Sequence, residues 1–542
     1  MSQQVVRRLR PCLFHGFKRI HGVRQLAQLS CVLQQEKRGR EATHDLEKRV
    51  AQLEAQKGLE NCWPRLPGGL LAERKSIAVV KSQSEKLDAG ETDTGSKLLF
   101  IDISNGDATI QALCQLSNTA TSPPEFKSAT KTIRKGDWYA LTGHPHKTTR
   151  GEPSILATRV PQLLAPSLHQ IPDALDDPET LAHSRHVNML VNPSTLHPLL
   201  IRHHVLTSLR SSLAKRSFIE VSTPILTAGA GGAVARPFET EATELEGQTV
   251  NLRIAPELWL KRLVVGGMER VFEIGPVFRN EGVDATHNPE FTICESYQAF
   301  ATLDDLMETT QRMLLEMEER VDEVRDGRVL VGLPAMNITF RGRFPRLEFI
   351  PALEKEIGLP LPNLSCATAT DDLLALFKDK DLAMPSKPTL PRLLDALAGH
   401  YLEPLCQTPT FITHHPAALS PLSKHSTCPT TGQTVAARAE LFIKGREYAN
   451  MYEEQNSPFV QRQLFEQQLA YRTVDGEGDA NERGGQVDEA FLEALEWGLP
   501  PTGGWGCGVD RLVMLFSGRE RLGDVLSFGG LRNVVGAGGR RR

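Results

Sequence analysis

The chain of 542 residues is 40% hydrophobic and 24% charged, with a formal net charge of -4. That length calls for more than one domain with ordinary cores, and no run approaches the roughly 18 apolar residues of a membrane span, so a soluble protein is expected. Nine cysteines are scattered without a Cys-x-x-Cys pair, which argues against a zinc site or a disulfide framework.

Residues 1–35 carry Arg7, Arg8, Arg10, Lys18, Arg19 and Arg24 and no acid. This is the composition of a mitochondrial presequence rather than a secretory signal, which needs a continuous apolar core; a basic arm touching RNA is the other reading. The remainder is more acidic than the whole, so any RNA-binding surface on it must be a local patch. Over 36–70, Leu46, Val50 and Leu53 form one apolar stripe on a short charged helix from Asp45 to Gln56, and Asn61 to Pro67 ends it. Residues 71–165 hold short strand-like runs at Ile77 to Val80, Leu98 to Ile103, Thr109 to Cys114, Asp137 to Thr142 and Ser154 to Thr158. With turns at Asn105-Gly106 and Arg150-Gly151 they suggest a small five-stranded barrel, an OB-fold. Gln83 to Ser96 and Ser117 to Ser128 read as polar loops. Pro161 to Asp177 is Pro-rich and apolar-poor and marks a connection, drawn as a linker over 166–185, to a second domain over 186–542.

In that domain a helix is expected from Leu199 to Ala214, with Leu200, Leu206, Leu209 and Leu213 on one side. A strand from Phe218 to Val221 follows and stops at Pro224. In GAGGAVARPFETE, Gly229 to Glu241, the glycines allow backbone amides to approach a ligand. RIAPELWLKRL then sets Glu257 at a helix start, where an acid suits the helix dipole. Two apolar runs, Val271 to Phe278 and Phe291 to Phe300, flank a polar segment too long for a tight turn, which reads as a hairpin with a working loop. Arg279 and Glu281 stand at one root of the loop, His287 and Asn288 near the other. Phe291, Glu295 and Tyr297 alternate onto one face of the returning strand. Charges turned to solvent would be the plain account of such a hairpin.

Leu303 to Val324 is a long scaffold helix by its spacing, and from Arg341 to Gly432 the pattern weakens. His414 and His415 are adjacent, so on a strand they point to opposite faces and cannot share a metal. Between Glu440 and Phe459, the residues Glu447, Asn450 and Glu454 either share a helix face or lie along a strand and loop, a surface charge stripe being the plain account. The last block, GLPPTGGWGCGVDRLVMLFSG, has glycine-rich backbone before Arg511 and an apolar helix after it.

FRNEGVDATHNPEFT resembles motif 2 of the class II aminoacyl-tRNA synthetases, and the ESY that follows it resembles the lysyl member of the subgroup holding the aspartyl and asparaginyl enzymes. Helix, strand and proline near residues 199–224 resemble motif 1, and the last block resembles motif 3. The resemblance runs over about residues 45–533. It implies an α+β protein, an N-terminal OB-fold joined to an antiparallel catalytic sheet flanked by helices, acting as a homodimer through motif 1 with no membrane. It also implies ATP, Mg2+, L-lysine and tRNA(Lys) as ligands and substrates. Arg279 would hold the substrate carboxylate and the α-phosphate. Adenine would lie between Phe291 and Arg511, with Glu281 near the base and His287 and Asn288 near the phosphates. Glu440 and Glu447 would bind magnesium. Gly232, Glu257, Glu295, Tyr297, Asn450 and Glu454 would contact lysine, while LLFIDISNGDATIQALC and KTTRGEPSI would read the anticodon through Phe100, Gln111 and Glu152. Phe100 could equally be barrel core.

Lysine also has a physical argument of its own. A buried ammonium demands a carboxylate, which Glu454 beside Tyr297 supplies, and an aspartate substrate would be repelled. An aspartyl-type or asparaginyl-type enzyme, or a catalytically silent RNA-binding relative, are the competing readings. Where most relatives carry an aliphatic residue this chain has Cys507, and Trp505 is unusually large; both are expected to alter packing near the nucleotide.

Overall fold

A computed structural model of the chain describes residues 44–66, 74–89, 98–105, 108–228, 235–245, 247–326, 333–334, 336–474, 487–531 and 533. Two compact units divide it, Met1–Ala174 and Leu175–Arg542. The proposed presequence lies outside the described residues, as does Gly232. No helix among the described residues is long and apolar enough to cross a membrane.

The first unit opens on a helix over 44–57, where Leu53 is buried against Cys62 and Leu163. Its strands are β1 (Leu98–Asn105), β2 (Ala108–Gln115), β3 (Trp138–Ala140), β4 (Gly143–Lys147), β5 (Pro153–Ala157) and β6 (Gln162–Ala165). They form a four-stranded sheet in the order β1-β2-β5-β4 and a separate β3-β6 pair, and among the described residues they do not close into the expected five-stranded barrel.

Three expectations need correction here. Ile77 to Val80 is the first turn of a helix, Ile77–Glu85, because the Ser76 side chain accepts the Val79 N–H at 3.3 Å and caps it. That helix takes in the start of the loop expected from Gln83; residues 90–97 lie outside the described set. Within Ser117 to Ser128 stands the start of another helix, Pro123–Lys131, which begins with a reciprocal capping box between Ser122 and Glu125 and buries Phe126. Finally, β6 occupies part of the Pro161 to Asp177 connection.

The second unit is built on an eight-stranded sheet. Its strands, with the small pairings between them, are β7 (Ile219–Glu220), β8 (Leu226–Thr227), β9 (Glu239–Glu241), β10 (Thr249–Leu252), β11 (Arg270–Phe278), β12 (Glu290–Ala299), β13 (Arg346–Glu348), β14 (Thr410–Thr413), β15 (His425–Thr427), β16 (Thr434–Ala436), β17 (Arg438–Ile443), β18 (Arg446–Glu453) and β19 (Thr502–Gly508). The order is β13-β14-β17-β18-β19-β12-β11-β7, antiparallel except where β7 meets β11 and β13 meets β14. Helices His197–Lys215, Leu303–Asp326 and Val509–Ser517 cover one face and share a core with Phe272, Cys294, Leu441, Met451 and Trp505. The opposite face is left for the site.

A second core, absent from the sequence reading, fills 349–402. Helices Phe349–Ile357, Ala369–Asp379 and Leu390–Tyr401 pack Leu353, Leu373, Phe377 and Leu394 onto Ile412 and Phe442 at the far edge of the sheet.

Candidate active site

The open face of the sheet floors a cavity of about 2020 Å³. The β11–β12 hairpin forms as expected, with Glu273 opposite Glu295 and Val271 opposite Tyr297. Strand alternation sends Phe291, Glu295 and Tyr297 into the cavity, and β19 runs alongside with Gly504 opposite both Tyr297 and Tyr452, and Gly506 opposite both Glu295 and Asn450. These glycines make the floor concave. A Cβ on Gly504 would collide with Glu454 Oε1 and lie 2.7 Å from Tyr297 Cε1. Trp505 and Cys507 alternate to the helix-covered core, Cys507 standing opposite Cys294 across the strands.

Arg279 reaches the cavity at the root of the hairpin. Its Nε donates to Ile254 O at 3.4 Å and its guanidinium lies 5.2 Å from the Phe291 ring centroid. Beneath it, buried Arg253 ties the segment to the hairpin by a 2.6 Å bond to Glu273 and a 3.0 Å bond to Pro276 O. Arg511 donates to Glu447 O at 2.9 Å and approaches His287 Nε2 at 3.3 Å. His287 in turn meets Asp284 at 2.8 Å, which with the Thr286 N–H holds the Asp284 carboxyl well below the usual range. Glu281 lines the same cavity, and Asn288 does so while its side chain donates to Glu290 O and accepts the Leu531 N–H.

Glu447 and Asn450 lie on strand β18 and Glu454 just beyond it, which selects the strand-and-loop alternative over a shared helix face. Glu440 is on β17, opposite Asn450, and a register shift at Leu441/Phe442 separates it from Glu447. Arg438 pairs with Glu440 and also donates to Asn450 at 3.0 Å, while His415 Nε2 stands 3.0 Å from Glu440. Burial opposes ionisation of Glu440, but Arg438 and His415 hold it below the usual carboxylate range. Burial and the charge of Glu440 push Glu447 up. Burial, then the charges of Asp395, Glu440 and Glu447, raise Glu403 to about 6. His414 takes a left-handed turn after β14, so it and His415 are not on a strand at all.

Two neighbouring carboxylates that repel each other are a hard oxygen donor set of the kind Mg2+ takes, and Mg2+ is commonly bound by one or two carboxylates completed by phosphate oxygens. Glu440 and Glu447 fit that description. Among the described residues no three His, Cys, Asp or Glu side chains are grouped to hold a metal unaided.

The deepest part of the site is acidic. Glu257 follows Pro256 at the start of helix Glu257–Val265 and is buried; Glu454 is fully buried. Tyr297 donates to Glu295 at 3.2 Å and Tyr452 donates to Glu257 at 3.0 Å. Burial, then the charge of Glu257, raises the Glu295 carboxyl to about 8. Glu454 Oε1 is buried without a hydrogen-bond partner among the described residues. Lys261, one turn after Glu257, is a residue the sequence reading passed over. Its Nζ lies 2.6 Å from Glu257 Oε1 and pairs with Glu454.

In the first unit Phe100 is 50% exposed on β1, which removes the core reading. Gln111 on β2 stands opposite Asp102, and exposed Glu152 lies in the turn that leads into β5, the strand paired with β2.

Residues 177–532 match the model of the tRNA synthetases class II (D, K and N) family. The chain is 38% identical over 448 residues to the mitochondrial lysine–tRNA ligase of Schizosaccharomyces pombe, covering 81% of this chain and 82% of that protein. It is 36% identical over 468 residues to the lysine–tRNA ligase of Clostridium perfringens, covering 84% and 89%. A cytoplasmic relative from Encephalitozoon cuniculi is 40% identical over 413 residues, covering 73% and 78%. The chain belongs to the class II tRNA synthetases of the D, K and N group, in the lysine–tRNA ligase family.

Proposed function

We propose that the enzyme joins L-lysine to tRNA(Lys) through a lysyl-adenylate and serves mitochondrial translation. The observation that carries the substrate is the buried acidic floor under Arg279, where Glu454 keeps an unpartnered oxygen beside Tyr297. An amino acid with two ammonium groups and one carboxylate matches a site with acids below and a guanidinium above.

The lysine carboxylate attacks the α-phosphorus of ATP and pyrophosphate leaves; the ribose hydroxyl of the terminal tRNA adenosine then attacks the acyl carbon and AMP leaves. Arg279 aligns the carboxylate with the phosphate and takes up charge that develops there, and no general base is needed. Phe291 and Arg511 clamp the adenine ring between an aromatic face and a planar cation, with Glu281 at its edge, and His287 and Asn288 attend the phosphates. Magnesium on Glu440 and Glu447 supplies charge neutralisation for phosphate oxygens. Glu257 takes the α-ammonium, with backbone at Gly232, while Glu454, Tyr297, Glu295 and Asn450 take the side chain. Phe100, Gln111 and Glu152 read the anticodon, by stacking and base-edge hydrogen bonds on an OB-fold-like domain. A homodimer through the segment containing His197–Lys215 and Ile219–Glu220 completes the reading.

The acid-free basic start and the mitochondrial relative support the mitochondrial role. ATP-pyrophosphate exchange with each of the twenty amino acids tests the chemistry. Exchange with lysine alone, cut by on the order of 100-fold or more in Arg279→Ala, is the expected result. Exchange with aspartate or asparagine would overturn the pocket assignment. The location is checked by imaging the tagged full chain, a purely cytosolic signal being the contrary outcome.

A further inference from the structure

Lys261 brings an ammonium among the buried acids of the site, and its side chain has no solvent exposure. It sits on the same face of helix Glu257–Val265 as Glu257, one turn on, which accounts for the 2.6 Å pairing as an i,i+4 contact. Its second partner, Glu454, comes from the distant end of β18 and is equally buried. Tyr297, Tyr452 and Phe491 surround the ammonium with ring centroids at 5.9, 5.8 and 5.8 Å. An unpaired lysine would not be kept in such a place, since burial of its charge costs far more than a surface position. Nor is it a mere filler, because it spans two acids from separate elements while leaving one Glu454 oxygen, Oε1, without a partner.

We propose that Lys261 is a positioning residue for the amino-acid site: its ammonium bridges Glu257 and Glu454 and sets their separation for a substrate bearing two ammonium groups. The inference rests on the assignment of Glu257 and Glu454 to substrate lysine. With Lys261 in place, the buried Glu454 Oε1 stays beside Gly504, and Glu257 keeps its Tyr452 hydrogen bond. Without it the two acids repel, and each is free to take a proton or swing away. The consequence falls on recognition of the substrate ammonium groups, not on ATP, whose contacts are made at Arg279, Phe291 and Arg511.

The test is steady-state pyrophosphate exchange by the full-length enzyme carrying Lys261→Met, with melting followed by circular dichroism. The expected result is a KM for lysine raised on the order of tenfold or more, a KM for ATP unchanged, and weaker discrimination against norleucine, which lacks the side-chain ammonium. Should Lys261→Met not fold, Lys261→Arg is read instead. It keeps the charge but forces the acids apart, and the same split between lysine and ATP is expected. A folded variant with both KM values and the norleucine ratio unaltered, or with both KM values raised together, overturns the proposal. Glu454→Gln run in parallel separates the two levels: if it too leaves lysine KM untouched, the pocket assignment fails, whereas if it alone raises lysine KM, only the role of Lys261 fails.

Discussion

Single side chains decide the electrostatics of the buried acidic floor proposed to take lysine. Glu295 has its carboxyl raised to about 8 by burial and by Glu257, so near pH 6 it holds a proton in the free enzyme. An incoming ammonium favours the carboxylate, so lysine binding releases that proton and tightens as pH rises from 6 to about 8, by at most about tenfold per unit. Calorimetric Kd values across that range check this, and Glu295→Gln is expected to flatten the dependence. The stability contribution has the opposite sense: a raised carboxyl pKa stabilises the free fold at low pH, and that contribution is gone above about pH 8. That Glu295 and Tyr297 share a face was legible because period-two alternation on a strand places them together, whereas Glu454 was singled out by resemblance alone. Lys261, Tyr452, Arg438 and His415 were not legible. Lys261 reads as an ordinary helix residue until Glu454 is brought to it, and His415 was set aside as half of a metal pair when its actual partner is Glu440.

At the scale of elements, β19 shows how a run of glycine becomes a surface. Gly504→Ala places a methyl group against Glu454 and Tyr297 and is expected to raise the KM for lysine about tenfold while costing about 1–3 kcal/mol of stability. Kinetics with lysine and ATP varied separately, together with thermal melting, check both parts. Asp510, at the start of the closing helix, accepts the Thr292 N–H at 2.8 Å and pairs with Arg202, whose other nitrogen donates to Thr292 Oγ1 at 2.7 Å. That triangle ties helix His197–Lys215 to the strand carrying Phe291 and to the first turn of helix Val509–Ser517, which carries Arg511. Arg202→Met is expected to lower stability by about 1–3 kcal/mol and to weaken ATP binding more than lysine binding, as measured by melting and KM values. The hairpin and the Glu257 helix start were visible from local signals. The helices of 349–402 carried a signal too, in Leu390, Leu393, Leu394 and Leu397, but the segment was passed over as patternless. The Ile77 strand expectation failed because a β-branched run says less about a helix than the Ser76 cap before it.

For the whole molecule, the proposed reading assigns tRNA selection and amino-acid activation to different units of the chain. Phe100→Ala is expected to leave lysine-dependent pyrophosphate exchange intact while lowering kcat/KM for tRNA charging about 10- to 100-fold, the cost of one lost base stack. Parallel exchange and aminoacylation assays check this, and equal loss in both would refute the division. Ile219 and Leu226 are 54% and 52% exposed on the segment proposed for the dimer. Ile219→Asp is expected to shift the sedimentation coefficient toward the monomer and to reduce exchange.

The order of residues by itself determined the family, through contiguous motifs that resemble it, and the hairpin with its polar loop, which depends on local spacing. Only the tertiary structure decided which charges meet. β18 and β19 bring Glu454 to Lys261, Arg438 to Asn450 and Gly504 to Tyr297. Whether a buried acid is free for a substrate or already held depends on partners far away in the chain, since charge interactions in a dry interior are set by distances of a few ångströms that sequence separation does not encode.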